Sequence, residues 1–289
     1  SLWTATRMPA AACSHAGGRG VRRQFGDHLD RLVGQAGWRG RRFACLLLDL
    51  DRLFDAVTPR TRAIALNSPS NPVGWTASRD ELIAVRDVCR KNGIWILGDE
   101  VYSRFYYGER GEARAPSFLD ICEDEEQVLL ANTFSKNWAM TGWRVGWMVL
   151  PEELVRPIEC LAQSLYISAP ELSQIAALAA LSATDELEHY KAACQANRDF
   201  LMARLPALGL PLLSPMDGAF YAYVDATRFT NDSMGFAKRI LAETDVAVTP
   251  GRDFDPVEGH LAMRLSYAGT MAEMVEATDR LENWLPKSV

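Results

Sequence analysis

The chain has 289 residues, 48% of them apolar and 24% charged, and a formal net charge of −6. Such a length and apolar content place it among globular proteins with one large domain or two smaller ones. The acidic balance argues against general affinity for nucleic acid, and no apolar run reaches the ~20 residues needed to cross a bilayer.

Residues 1–48 form an atypical segment rich in Arg and Gly. The first 45 residues hold eight arginines, no lysine and, as acids, only Asp27 and Asp30, so they carry +6 and leave −12 on the remainder. They show neither helical nor strand periodicity, and no helix-turn-helix pattern that would support a nucleic-acid role. Gly17-Gly18-Arg19-Gly20 lacks the preceding strand and following helix that a phosphate-binding loop needs. The apolar run at 43–50 is too short and too far inside to be a signal peptide's core. Six widely spaced cysteines, Cys13, Cys45, Cys89, Cys122, Cys160 and Cys194, form no CxxC pair and no cluster with the four histidines. They are expected to be reduced thiols of a cytoplasmic protein, with no metal site.

From Asp49 the pattern becomes regular. A short helix over 49–57 and a turn at Thr58-Pro59-Arg60-Thr61 lead to a buried strand at 63–66, which ends in the rigid loop Asn67-Ser68-Pro69-Ser70-Asn71-Pro72-Val73-Gly74. Ser78, with Glu81 three residues on, forms a capping box for a helix whose inner face carries Leu82, Ile83, Val85, Val88 and Cys89. Gly93 stops that helix and a second strand follows at 94–97. Strand, helix and strand with short joins indicate a parallel βαβ unit. A third strand, 128–131, runs into a stretch centred on Lys136, read as a loop that joins it to another apolar run at 145–150.

The three strand ends deliver Asn71, then Asp99 with Tyr102, then Lys136. Ligands of open parallel sheets bind outside the carboxyl ends of the strands, so these residues can meet in one crevice. Around Lys136, the hydroxyls of Thr133 and Ser135, the guanidinium of Arg144 and the glycines Gly142 and Gly146 suit a bound phosphate beside a partly desolvated amine. Such an amine loses its proton more easily and can form a Schiff base with an aldehyde. Beyond Pro151 the pattern predicts helices at 152–165, 171–181 and 185–205, the last long enough to bridge two domains. A strand at 218–224, a helix at 233–243, strands at 246–249 and 260–267 and a helix at 270–285 complete a smaller α+β unit. Arg264 sits within an apolar strand pattern there, where an unpaired guanidinium would be costly.

Four motifs in order, Asn71-Pro72-Val73-Gly74, Asp99-Glu100-Val101-Tyr102, Ser135-Lys136 with Gly142-Trp143-Arg144-Val145-Gly146, and Met263-Arg264-Leu265-Ser266, resemble the class I/II aminotransferases of the aspartate aminotransferase type. The resemblance runs from residue 49 to 289. It implies an α/β chain of the pyridoxal-phosphate-dependent fold type I, with a mainly parallel sheet flanked by helices. Residues 49–185 would be the cofactor-binding domain and 186–289 the bridging helix and small C-terminal domain.

The resemblance also implies roles. Lys136 would hold pyridoxal 5′-phosphate as a Schiff base and move a proton between the substrate's α-carbon and the cofactor's C4′. Asp99 would pair with the ring nitrogen, and Tyr102 would donate to the ring's phenolic oxygen. Asn71 would contact that oxygen and the substrate carboxylate, Arg144 with Ser135 and Thr133 would bind the phosphate, and Arg264 would hold the substrate's α-carboxylate. The reaction implied moves an amino group from an amino acid to a 2-oxo acid in a homodimer; β-elimination on the same scaffold and an inactive remnant are the alternatives. No Gly/Ser/Ala-rich phosphate loop and no ring-stacking aromatic is found upstream of Asp49, so the first part of the large domain is expected to be missing.

Overall fold

The structure, a computed structural model, describes residues 47–108, 112–123 and 126–286. Burial alternates along Ala63–Asn67 (β1) and Trp95–Asp99 (β2), which turns Ile64, Leu66 and Ile96 to one side of a sheet. That side is covered by Leu50–Asp55 (α1), capped by Asp49, and by Arg79–Asn92 (α2). Leu53, Leu82, Val85 and Cys89 share a core with the strand residues. The capping box of Ser78 and Glu81 is present in both directions, and Gly93 ends α2 in the left-handed region at φ 61°, as expected.

Val128–Thr133 (β3) pairs parallel to β2, and Gly146–Val149 (β4) pairs antiparallel to β3, giving the order β1-β2-β3-β4. The register sets Asn67 opposite Asp99 and Asp99 opposite Ala131, so β1 and β2 finish level and β3 runs two residues further, to Thr133. The connection from β3 to β4 differs from the loop predicted. Phe134–Asn137 forms a turn of helix (α3), and Thr141–Trp143 a 3-10 turn. Thr133 caps α3 by accepting the Ser135 N–H at 3.0 Å, and Phe134 is clamped between the Trp138 and Trp147 rings, 4.7 and 5.1 Å away.

Helices Glu152–Leu165 (α4), Glu171–Ala180 (α5) and Thr184–Ala207 (α6) follow. Tyr221–Asp225 (β5), Thr249–Pro250 (β6) and Ala262–Ser266 (β7) make an antiparallel sheet in the order β5-β7-β6, flanked by Ser233–Thr244 (α7) and Met271–Trp284 (α8). The strand expected at 246–249 shrinks to β6. Val246 and Val248 pack against the core instead of extending a ladder, and Pro250 has no N–H to donate. The strand expected at 260–267 starts later because Gly259–Leu261 is a 3-10 turn.

Two hydrophobic cores interlock. Tyr102, Phe105 and Tyr107, just past β2, lie in the core formed by α6, β5, β7 and α8, while Tyr223 and Ala262 of the second sheet join the core under β1 and β2. Helix α6 touches both regions: near its start Glu188 pairs with Arg104 at 2.7 Å and Tyr190 meets Phe105 edge-on, and near its end Leu201 and Leu205 are buried.

Candidate active site

The carboxyl ends of β1, β2 and β3 are tied together before any ligand is considered. Asn67 accepts the Asn71 N–H at 2.8 Å and donates its own amide to the Asp99 carbonyl at 3.0 Å. Ser68 N–H also reaches that carbonyl, at 3.1 Å, and Glu100 N–H reaches the Ala131 carbonyl at 3.0 Å. The residues that leave these strands are therefore fixed relative to one another by backbone pairing, which is more rigid than loop contacts.

Asp99 lies at the end of β2, and among the described residues its carboxylate accepts only the Val101 N–H, at 3.3 Å. Burial raises its pKa above the ordinary aspartate value. Its neighbour Glu100 is more fully enclosed and accepts from Ser117 Oγ at 2.7 Å and Phe118 N–H at 3.1 Å; burial raises it too. Tyr102 is 4% exposed, and its phenol meets the Tyr221 phenol at 3.0 Å. Burial raises the Tyr102 pKa first, with Tyr221 and Asp99 adding to the rise and Arg264 opposing it.

Lys136 is half-buried on α3. Desolvation lowers its pKa first, and the nearby cations of Arg264 and Arg144 lower it further. Asn137, the next residue, is buried and accepts the Arg104 N–H at 3.2 Å while donating to Ser103 Oγ at 3.1 Å. It thereby ties the lysine's turn to the segment that carries Tyr102.

Thr133 is fully engaged, since it caps α3 and donates its hydroxyl to the Val145 carbonyl at 3.2 Å. Ser135 is buried, and its Oγ accepts from Arg144 Nη1 at 3.5 Å. Arg144 itself adopts φ 52°, a left-handed conformation, and also donates to the Thr141 carbonyl at 2.8 Å.

Arg264 is brought in from β7, facing Tyr223 on one side and Thr249 on the other. Its Nη1 donates to Asn71 Oδ1 at 2.7 Å and its Nη2 to Thr249 Oγ1 at 3.1 Å. The guanidinium carbon lies 4.4 Å from the Tyr221 ring centre and 4.7 Å from that of Phe254, and Nε is buried with no acceptor among the described residues. The predicted residues Asn71, Asp99, Tyr102, Lys136 and Arg264 thus gather at one end of the sheet, with Thr133, Ser135 and Arg144 beside the lysine. Asn67, Asn137, Tyr221 and Thr249 were not singled out from the sequence. Asn67 and Asn137 read there as turn residues; only their contacts across 32 or more positions reveal them.

Comparison with known proteins follows the same lines. Residues 28–281 match the family described as aminotransferase class I and II, so the match begins ahead of Asp49. A valine–pyruvate aminotransferase of Mycobacterium tuberculosis is 38% identical over 232 residues, which cover 80% of this chain and 58% of that protein. Among solved structures, an aminotransferase from M. tuberculosis superposes with a TM-score of 0.75 at 37% identity, covering 81% of this chain and 60% of the other. A double mutant of Thermus thermophilus aspartate aminotransferase does so with a TM-score of 0.74 at 32% identity, covering 83% and 61%. The chain therefore spans less than two thirds of the length of these relatives.

Proposed function

This chain belongs to the class I and II aminotransferase family, and from that premise we propose that it moves the amino group of an amino acid to a 2-oxo acid, using pyridoxal phosphate held on Lys136. The observation that carries the reading is the gathering of Asn71, Asp99, Tyr102, Lys136 and Arg264 at the carboxyl ends of β1, β2 and β3. Their chemistry fits the cofactor. Asp99 is a desolvated carboxyl with no cation among the causes of its shift, which suits a protonated ring nitrogen. When bound, pyridoxal phosphate supplies an aldehyde that condenses with amines and a ring that withdraws electrons.

In this reading each side chain has a separate task. Burial and two neighbouring cations favour the neutral form of Lys136, so its Nζ serves as nucleophile towards the aldehyde and later as base at the substrate's α-carbon. Tyr102 would offer its phenolic proton to the ring oxygen, and Asn71, whose Oδ1 accepts from Arg264, would offer its amide N–H there. Arg144 and Ser135 hold the phosphate, while Thr133 supports them through its cap of α3. Arg264 receives the α-carboxylate; its seat beside Asn71 and Thr249, against the Tyr221 and Phe254 rings, supports that role.

The organisation belongs to the proposal too, with residues 49–185 as the cofactor-binding part and 186–289 as the bridging helix and smaller part; the Arg- and Gly-rich segment 1–48 lies, up to residue 46, outside the described residues. Assembly as a homodimer also belongs to the proposal, supported by apolar residues of α4 and α5 left open to solvent. Cytoplasmic residence is supported by the free thiols of Cys89, Cys122, Cys160 and Cys194, and no helix among the described residues is long and apolar enough to cross a membrane. The test is a panel of amino acids offered with pyridoxal phosphate and pyruvate, the 2-oxo acid in the name of the M. tuberculosis relative. Alanine should form together with the matching 2-oxo acid. Ammonia in place of alanine would point to β-elimination, and absence of both products would overturn the reading.

A further inference from the structure

We propose that Tyr221 is a positioning residue that fixes the direction in which the Tyr102 phenol donates its proton. The inference rests on the reading of Lys136 as the cofactor's lysine. Tyr221 opens β5, is 6% exposed, and places its hydroxyl 3.0 Å from that of Tyr102. The rings stand edge to face, 5.7 Å apart at an interplanar angle of 82°, and Phe220 packs on both.

Two phenols joined by one hydrogen bond carry two protons and consume one. The remaining proton belongs to whichever phenol accepts, and it is free for a ligand. Arg264 decides which phenol that is: its guanidinium carbon lies 4.4 Å above the Tyr221 ring, and a cation on that face withdraws electron density from the ring. Tyr221 is then the better donor and Tyr102 the acceptor, so the free proton is on Tyr102. Tyr102 is also the phenol beside Asp99, whose charge opposes loss of that proton. Phe254, its ring centre 4.7 Å from the guanidinium carbon, with Asn71 and Thr249 on the two terminal nitrogens, keeps the cation on the Tyr221 face. A phenol that accepts a hydrogen bond becomes a stronger donor through its own O–H, because such chains polarise cooperatively.

Tyr221→Phe keeps the ring under Arg264 and removes only the hydroxyl. The readout is the visible absorption of the Lys136 Schiff base formed with pyridoxal phosphate, titrated with pH. Loss of the Tyr221 donor weakens Tyr102's donation to the ring oxygen, so the midpoint should rise by roughly half a pH unit in Y221F, a cooperative effect of modest size. Affinity for a 2-oxo acid, read by its quenching of protein fluorescence, should change less than about 2-fold because the ring face is kept. In a Tyr102→Phe background the same Y221F substitution should leave the midpoint where Y102F has put it. This pair covers the case of an unstable single variant, since replacing both partners removes the buried unpaired hydroxyl.

An unmoved midpoint in Y221F, or a further shift on adding Y221F to Y102F, would overturn the role of Tyr221 while leaving Lys136 intact. No Lys136-dependent band in the unmodified chain would overturn both, and the two failures are thereby told apart.

Discussion

Lys136 is a half-buried amine placed near two guanidiniums, an arrangement that costs folding free energy and is justified by chemistry. Its folded-state pKa is depressed below the unfolded value, so the cost is complete at pH values below the folded pKa. Between the folded pKa and the unfolded value of 10.5 the unfolded chain binds more protons, and stability rises with pH as the cost fades. Lys136→Met should therefore raise the thermal midpoint at pH 7 by roughly 1–3 °C, a surface-screened share of what removing the cation from a desolvated place can give. Calorimetry across pH 7–10.5 checks the sign: the advantage of K136M should shrink towards the alkaline end, and an advantage that grows there would contradict the electrostatic account.

Helix α2 is the element that turns a local sequence signal into site geometry. Its capping box fixes its start, its apolar face covers β1 and β2, and those strands end level to present Asn71 and Asp99. Ser78→Ala should cost about 1 kcal/mol, read as a lower urea midpoint with an unchanged m-value. A second junction is less tolerant. Gly218 N–H donates to the Gly74 carbonyl at 2.8 Å, and a Cβ on Gly218 would stand 2.6 Å from Pro69 Cβ and 2.8 Å from the Phe105 carbonyl. Gly218→Ala should accordingly push apart the loops that carry Asn71 and Tyr102, costing roughly 1–3 kcal/mol and lowering the urea midpoint more than Ser78→Ala does.

Much of this element level was legible in the sequence, because each signal is local. The capping box, the stop at Gly93, the strand ends and the motif around Lys136 all lie within a few residues of what they control. Two features escaped for one reason: they depend on side-chain packing that the local pattern does not show. The turn of helix under Lys136 is held by Phe134 between Trp138 and Trp147, so a polar stretch that reads as loop is helical once two rings close on it. Tyr221 reads only as a strand aromatic until folding sets its hydroxyl against Tyr102, 119 positions earlier. Arg264 was legible because charge in an apolar strand is conspicuous, yet its hold on Asn71 spans 193 positions.

At the scale of the whole molecule, the segments bearing Tyr102 and Arg264 cannot move independently, since residues past β2 are buried in the core of the second sheet. The outer face of α5, which packs its inner face on the Lys136 turn, is different. Leu165, Ile167, Leu172, Ile175, Leu178 and Leu181 are each between 57% and 77% exposed, and together they make α5 and the end of α4 an apolar surface. In the homodimer proposed above, this surface is the interface. The paired substitution Leu172→Ser with Leu178→Glu should weaken self-association at least 10-fold by sedimentation, given the share of binding energy that central apolar residues carry. Unchanged self-association would move the interface elsewhere.

The central claim is that Lys136 Nζ is the amine that captures pyridoxal phosphate. The most direct measurement adds the cofactor to the full chain, reduces any Schiff base with borohydride and maps the modified peptide by mass spectrometry. Modification should fall on the peptide containing Lys136 and vanish in Lys136→Met, with a second amino-acid substrate added beforehand lowering its yield. A stable pyridoxyl group on other lysines alone, or equal labelling in K136M, would contradict the account.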